Sequence, residues 1–161
     1  MARIDVPTGD GGDAAMVWTM RPGMAPAVGK LIDAVYHKSE LPTRERELVR
    51  MRIAQLNSCT ACADFRAGSV RQAAISESLY DAVADHRTNP LFTARERIAM
   101  EYAERFALDH TNIDDELFTR LRAHYADDEI VDLTLCLAAF LGLGRFLAVL
   151  GIEEASDAYK L

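Results

Sequence analysis

The chain has 161 residues, half of them hydrophobic, and a formal net charge of −7. This length and composition predict one globular domain with its own core rather than a disordered chain. The acidic balance, with arginines interleaved among glutamates, argues against binding to a phosphate backbone, so we expect no nucleic-acid partner.

Residues 1–20 are interpreted as an N-terminal arm that precedes a helical domain at 21–161. Within the arm, residues 8–13 are rich in glycine and aspartate and predict a loose loop. Asp5, Asp10 and Asp13 interrupt any apolar stretch, so no secretion signal is predicted. With three cysteines and no export signal, we expect a reducing compartment and a cytoplasmic location.

Helix-period patterns and helix-start signals recur along the chain, whereas the alternating runs typical of strands are missing. A breaker at 21–23 precedes a first helix, and Thr93 with Glu96 matches a capping box at the start of a fifth. The seven predicted helices span 24–37, 43–56, 59–74, 76–88, 93–109, 112 or 114 to 125, and the apolar segment 130–150 with its acidic start at 127–129. With one more short turn in the C-terminal tail, the sequence predicts an all-α fold of about seven to eight helices.

The apolar segment 130–150 is long enough to suggest a membrane span. Asp132 and Arg145 divide it, however, and leave an uncharged run of only 12 residues, whereas a crossing needs roughly 20. We therefore expect no membrane association, but a helix buried in the core or in a homo-oligomer interface. Gly142 and Gly144 are expected to permit close packing of this helix.

Cys59 and Cys62 stand three residues apart in the first turn of the predicted third helix, which places their side chains on one face. Unpaired N–H groups at a helix start favour a thiolate, so the pair can supply a nucleophile and a resolving thiol. Two buried, inert cysteines are the alternative. A zinc site is disfavoured and no metal is expected, because Cys136 lies in the apolar helix and the histidines lack ligand spacing.

A glutamate and an arginine are predicted to lie beside the cysteine pair. The short turn between the second and third helices predicts an antiparallel hairpin, which places Glu47 opposite Arg66. Arg66 also follows Cys62 by four residues, on the same face of the predicted helix. The three side chains are therefore expected to form one cluster, with an exposed ion pair of little energetic value as the alternative.

Several stretches resemble the carboxymuconolactone decarboxylase-like superfamily, and within it the alkylhydroperoxidase D-like branch. They lie at 41–62, 92–97, 114–118 and 129–145, and the resemblance covers roughly residues 20–152. It implies an all-helical subunit that assembles into trimers or hexamers. It also implies a catalytic glutamate, matched by Glu47, with Cys62 as the peroxidatic and Cys59 as the resolving cysteine, and it requires no bound organic cofactor.

The sequence departs from the family pattern at two positions. Arg66 stands where the family has a relay histidine, and Ala61 stands where tyrosine or histidine is common. Arginine stays protonated, so Arg66 would stabilise a thiolate but could not pass protons from Glu47. Because general acid–base help is worth about 10²–10⁴-fold, weak peroxidase turnover is expected.

Three functions are compatible with these features. The leading hypothesis is a thiol peroxidase or disulfide oxidoreductase that reduces small hydroperoxides and is reduced by a dithiol, for which the resemblance points to lipoyl-type carriers. The second is decarboxylation of a lactone acid, with Arg66, Arg145 or Arg50 binding the carboxylate. The third is a redox sensor or scaffold without rapid turnover.

Overall fold

The computed structural model of the chain describes residues 2–73 and 75–153, except for the side chain of Ser69. This described part holds nine α-helices, two short 3-10 turns and no strand, so the all-α prediction is confirmed. The helices are α1 Gly12–Thr19, α2 Ala25–His37, α3 Thr43–Leu56, α4 Thr60–Asp64, α5 Gly68–Gln72, α6 Glu77–Ala82, α7 Ala94–Leu108, α8 Asp115–Arg122 and α9 Asp127–Leu150.

The central helix α3 runs parallel to α7. Arg44 donates to Glu96 (2.6 Å) and Arg52 donates to Glu104 (2.7 Å), and the partners are offset by 52 residues at both ends. An equal offset along both helices is possible only if they point the same way. Such parallel neighbours cannot be joined by a short turn, which explains why four short elements lie between them in the sequence.

The helix-start signals in the second half of the chain are confirmed. Thr93 and Glu96 form the predicted capping box of α7, in which each side chain accepts a bond from the other residue's backbone N–H. Asp114 caps α8 by accepting from the backbone N–H of Leu117. At its far end, α9 stops at Gly151, whose positive φ of 69° turns the chain back.

The predicted third helix is broken into two. α4 ends at Asp64, and Phe65 takes an extended conformation with ψ 134°. The Arg66 guanidinium donates to the carbonyl oxygens of Ala63 and Phe65, which satisfies groups that a continuing helix would have used. Arg66 therefore does not lie on the same helix face as Cys62. The predicted fourth helix is also shorter than expected, and the predicted turn in the C-terminal tail lies outside the described residues.

The N-terminal segment contains a helix, α1, that the sequence did not predict. The positive φ values of Gly11 (91°) and Gly12 (68°) let the chain reverse into this helix. The expected loose loop at 8–13 is therefore wrong at its last two residues, which are helical. Ala14 and Val17 pack against Ile152 in a small apolar cluster separate from the main core. The division into an arm and a domain remains a prediction.

The helix α9 is long and apolar enough to cross a membrane by length and composition alone. In the described structure its Leu133 and Leu137 side chains are buried in the main core. Its charged residues contact the same domain, since Asp132 accepts from the Glu40 backbone N–H (2.7 Å) and Arg145 donates to Asn57 (3.1 Å). Apolar side chains on its opposite face, each 59% exposed, are Val131, Leu135 and Val149.

Candidate active site

Cys59 and Cys62 lie at the start of α4, directly after a tight turn. Ser58 adopts a left-handed conformation (φ 50°), which redirects the chain from α3 into α4. Cys59 then occupies the N-cap, and its Sγ accepts a hydrogen bond from the Cys62 backbone N–H at 3.3 Å. The two Cα atoms are 5.2 Å apart and the sulfurs are joined in a disulfide. The structure thus represents the oxidised form of the pair.

The two sulfurs have unequal surroundings. Cys59 is buried, with 3% of its surface exposed, whereas Cys62 is half-buried and lines a cavity of about 120 Å³. The cavity wall is mainly aliphatic and aromatic, and a cavity of this size is comparable to one that accommodates a benzene-sized molecule. Besides Cys62, the lining residues with polar side-chain atoms are Trp18, Tyr36 and Arg50.

Glu47 forms a fully buried ion pair with Arg50, which lines this cavity. The Arg50 Nε donates to both carboxylate oxygens at 3.0 and 2.9 Å, and only 0% and 4% of the Glu47 and Arg50 side chains are exposed. The Arg50 Nη1 also donates to the carbonyl oxygen of Cys62. Burial alone lowers the pKa of Arg50, but the Glu47 carboxylate raises it above its ordinary value, so the guanidinium stays charged.

Arg66 is connected to Glu47 indirectly rather than by the ion pair expected from the sequence. It pairs with Glu77 (2.7 Å) and lies over the ring of Tyr80, 3.9 Å from the centroid. The Tyr80 hydroxyl in turn donates to Glu47 Oε2 at 3.2 Å. The break after α4 accounts for the difference, because it turns Arg66 towards α6. The structure thus brings Cys62 and Glu47 together through Arg50, and reaches Arg66 through Tyr80.

Tyr36 is a cavity residue that sequence reasoning missed. It is 8% exposed, and its ring contacts those of Phe65 and Phe140, with centroids 5.9 and 6.1 Å away. Burial raises the pKa of Tyr36 well above its usual range, so the hydroxyl stays protonated at physiological pH. Ile32, Val35 and Tyr36 all line the cavity. Their spacing on one face of α2 is the sequence signal that could have identified this residue.

Gly144 brings α9 close to the disulfide. A methyl group at this position would lie 2.7 Å from the Asn57 Nδ2 and 3.5 Å from the Cys62 Sγ. The expectation of close packing is therefore correct for Gly144. At Gly142 it is wrong, because a methyl group there would meet no atom within 4 Å. Asn57 also accepts from Arg145, which fixes the turn before the cysteines against α9.

The other candidate groups have structural surroundings. Arg145 donates to Asn57 and to the carbonyl oxygen of Ala107 (2.8 Å), so it joins α9 to the turn before the cysteines and to α7. The Cys136 thiol is buried and donates to Asp132 at 3.5 Å, and burial raises its pKa to about 12. A protonated thiol is a poor nucleophile, so Cys136 is chemically inert.

Comparison with known proteins identifies the family. A model of the carboxymuconolactone decarboxylase family matches residues 22–105, more than half of the chain. The chain belongs to the carboxymuconolactone decarboxylase family. The family match contains both cysteines, Glu47 and Arg66, and it leaves out α1.

Two bacterial proteins are similar to this chain in sequence. YnjA of Escherichia coli (strain K12) is 40% identical over 111 residues, which cover 69% of this chain and 59% of YnjA. YdfG of Bacillus subtilis (strain 168) is 27% identical over 120 residues, covering 74% of this chain and 82% of YdfG. The aligned region thus spans less than two thirds of YnjA.

Solved structures share the fold. A protein of unknown function from Agrobacterium tumefaciens, which has been related to the antioxidant defence protein AhpD, has a TM-score of 0.77 at 25% identity over 96% of this chain and 98% of its own. The alkylhydroperoxidase AhpD core of a peroxidase-related protein from Ralstonia eutropha JMP134 has a TM-score of 0.76 at 20% identity, over 89% of this chain and 76% of its own. The debrominase Bmp8 has a TM-score of 0.76 at 18% identity, over 91% of this chain and 78% of its own. The predicted AhpD-like fold is confirmed, and the last two likenesses concern the fold alone.

Proposed function

We propose that this protein is a thiol-dependent hydroperoxide reductase that cycles Cys62 and Cys59 between dithiol and disulfide. The observation that carries the proposal is the asymmetry of the pair: one sulfur lines an apolar cavity, and its partner is buried within disulfide distance. The fold shared with proteins described as AhpD-like and peroxidase-related supports this choice among the chemistries of the family.

The proposed cycle has three steps. The Cys62 thiolate attacks the distal oxygen of a hydroperoxide, forms an S–O bond, breaks the O–O bond, and leaves a sulfenic acid and an alkoxide. The Cys59 thiol then attacks the sulfenic sulfur, which releases water and forms the disulfide. A dithiol reductant restores both thiols through a mixed disulfide and is itself oxidised.

Tyr36 is the proposed proton source for the departing alkoxide. The alkoxide is far more basic than a phenolate, so it takes the hydroxyl proton, which is then restored from water. Tyr36 lines the same cavity as Cys62, and burial raises the pKa of its hydroxyl further, so this proton is present at neutral pH. Glu47 and Arg50 are proposed to hold the Cys62 peptide in position, and Arg66 is proposed to support Glu47 through Tyr80.

A lactone decarboxylase is disfavoured by the partners of the candidate arginines. Arg66 pairs with Glu77 and Arg50 pairs with Glu47, while Arg145 donates to an amide and a carbonyl oxygen. Each of these three candidate guanidiniums therefore already has protein partners. A redox sensor without turnover remains the second candidate, because Arg66 replaces the family's relay histidine.

The proposal extends to the partners and the location. A lipoyl-type dithiol is the proposed reductant, on the strength of the family resemblance. The exposed apolar face of α9 supports assembly into a homo-oligomer, a trimer or a hexamer by the same resemblance. A cytoplasmic location is proposed because a cycling dithiol needs a reducing compartment.

A lipoamide-coupled assay with tert-butyl hydroperoxide tests the function. We expect Cys62→Ser to abolish turnover. Cys59→Ser should complete one oxidation and accumulate a sulfenic acid that dimedone traps for mass analysis. Cys136→Ser is the matched control and should retain turnover, since Cys136 is buried and is not one of the residues that line the cavity.

The alternatives give different results in the same assay. Peroxide turnover that survives Cys62→Ser would refute the proposal. Decarboxylation of a lactone acid that survives the same substitution would identify the protein as a decarboxylase. A disulfide that forms and is reduced without catalytic turnover would identify a sensor. Tyr36→Phe should lower kcat by about 10–100-fold while the single-turnover yield of disulfide is unchanged.

A further inference from the structure

The short helix α1 forms one wall of the cavity that holds Cys62. Ala14 and Trp18 both line this cavity, and their spacing of four residues places them on one face of the helix. α1 lies outside residues 22–105, which the family model matches. The cavity therefore combines elements within the family match with walls from α1 and α9, which both lie outside it.

The position of Trp18 depends on contacts outside the main core. Its ring stacks on that of Phe146 from α9, with centroids 4.6 Å apart and planes inclined by 19°. Val17, the neighbouring residue, does not line the cavity but packs in the small cluster with Ile152. Val17 thus anchors α1 in the small cluster without lining the cavity, whereas Trp18 packs against that cluster and also lines the cavity.

The identity of Trp18 is not explained by stability. Its indole N–H is buried and has no hydrogen-bond partner among the described residues, which is unfavourable for a polar group removed from water. Phenylalanine could stack on Phe146 without burying an unpaired donor. What tryptophan adds is volume, because it is the largest side chain.

We propose that Trp18 is the specificity-determining residue of the Cys62 cavity and limits its substrates to small aliphatic hydroperoxides. This inference rests on the proposed peroxidase function for the identity of the substrate, but the size limit itself concerns access to the Cys62 sulfur. A cavity of about 120 Å³ with an indole as one wall accommodates tert-butyl hydroperoxide more readily than the bulkier aromatic cumene hydroperoxide.

The first test measures access without requiring any peroxidase activity. In the Cys59→Ser, Cys136→Ser background, Cys62 is the sole thiol, and its alkylation rate is measured with N-ethylmaleimide and with the bulky N-(1-pyrenyl)maleimide. We expect Trp18→Ala to raise the ratio of the bulky to the small reagent's rate by about 10-fold or more. Trp18→Phe, which retains a stacked ring, should raise it by less than about 3-fold.

Val17→Ala is the matched control, because it weakens the anchoring of α1 while leaving the cavity wall in place. We expect the ratio of its alkylation rates with the bulky and the small reagent to stay within about 2-fold of the ratio for the Cys59→Ser, Cys136→Ser background. If Val17→Ala raises the ratio as much as Trp18→Ala does, general loosening of α1 is responsible and the assignment to Trp18 is overturned. A ratio that Trp18→Ala leaves unchanged overturns it as well.

The second test uses the hydroperoxides with the otherwise wild-type chain. Trp18→Ala should raise the rate of Cys62 oxidation by cumene hydroperoxide relative to tert-butyl hydroperoxide by about 10-fold. The two proposals fail separately. A shifted alkylation ratio without peroxide turnover refutes the peroxidase function and retains the size limit set by Trp18. Peroxide turnover with an unshifted alkylation ratio retains the peroxidase function and refutes the size limit.

Discussion

The two faces of α3 use the same residue types in different surroundings. Towards α7, Arg44 and Arg52 bind glutamates in pairs in which the arginines are 44% and 17% exposed. Towards the cavity, Glu47 and Arg50 are 0% and 4% exposed, and Arg50 also bonds to the Cys62 carbonyl oxygen. On the first face water can reach the arginines although their glutamates are buried, whereas both partners on the second face are shielded from water.

This difference shows which ion pairs are worth testing for function. An exposed pair contributes little to stability, because solvent screens its charges. A fully buried pair makes each partner dependent on the other, since removing one leaves an uncompensated charge. Burial beside the reactive sulfur therefore distinguishes the Glu47–Arg50 pair from the others on α3.

The largest expected effect is that of Glu47→Gln. This change leaves the Arg50 cation buried without its counter-charge, so we expect the free energy of unfolding to fall by about 3–5 kcal/mol. Because Arg50 also holds the Cys62 peptide, kcat should fall by about 100-fold. Urea unfolding and the coupled peroxide assay measure the two effects.

The matched control on the opposite face is Glu45→Gln. The Glu45 side chain is 11% exposed and also accepts from the Tyr125 hydroxyl. Its partner Arg95, however, is 28% exposed and keeps Glu129 as a second counter-charge. We therefore expect a loss of about 1–2 kcal/mol, smaller than that of Glu47→Gln, and unchanged activity. Equal losses of stability and activity in Glu47→Gln and Glu45→Gln would contradict the claim that the two faces of α3 differ. If Glu47→Gln does not fold, the double variant Glu47→Gln, Arg50→Met should restore the fold without the activity.

Gly144→Ala should have the next largest effect. The added methyl group must displace Asn57 or crowd the Cys62 sulfur, so we expect Cys62 to react with hydroperoxide about 10-fold more slowly. Gly142→Ala is the control: it has open space, and should stabilise α9 by about 0.5–1 kcal/mol at unchanged rate. Stopped-flow measurements of Cys62 oxidation compare the two variants. Equal slowing in Gly144→Ala and Gly142→Ala would contradict a specific role for close packing at Gly144.

A smaller effect is expected from Arg66→Gln, which removes the cation above the Tyr80 ring. A cation–π contact is worth about 1 kcal/mol, so kcat should fall by about 3–5-fold while KM is unchanged. Glu77→Gln should leave kcat within about 2-fold, because Glu77 is 73% exposed. A 100-fold loss in Arg66→Gln would instead assign Arg66 the direct role that the sequence suggested.

The smallest effect concerns His86, which lies on the α7 side near Glu104. Burial and the nearby Arg52 and Arg87 lower the pKa of His86, although Glu104 opposes them. Below pH about 6.5 the unfolded chain therefore binds a proton at His86 that the folded protein binds only at lower pH. The free energy of unfolding decreases as the pH is lowered through this range, by at most about 1.4 kcal/mol per pH unit. His86→Gln should flatten this dependence between pH 7.5 and 5.5 in urea unfolding. An unchanged slope would show that His86 does not contribute.

Sequence reasoning succeeded where the determining contacts are local. The capping box at Thr93 and the N-cap at Asp114 involve residues three apart, so the start of each helix can be read from a short segment. The break at Phe65 could not be predicted in this way. It is accompanied by contacts of Arg66 with Glu77 and with the Tyr80 ring, which depend on how α6 packs.

The same distinction applies to the site. The cysteine pair and Glu47 follow from spacing within one hairpin, whereas Tyr36 and Trp18 reach the cavity from α2 and α1. Assuming a continuous helix after Cys62 also gave Glu47 the wrong ion-pair partner. Arg50, only three residues from Glu47, was a candidate at the sequence level, but for substrate binding rather than for this pair.

In the proposed cycle, the unequal exposure of the two sulfurs predicts a direction for reduction. We expect an incoming thiolate to reach the disulfide through the cavity, to attack Cys62 and to remain attached there, while Cys59 departs. The Cys62 amide N–H already points at the Cys59 sulfur and stabilises the negative charge that forms as the bond breaks. The sulfur released first is therefore the one shielded from solvent, and its return to Cys62 would only reverse the exchange. We expect the second thiol of the reductant to complete the reaction by attacking the mixed disulfide at the reductant's own sulfur, which releases Cys62.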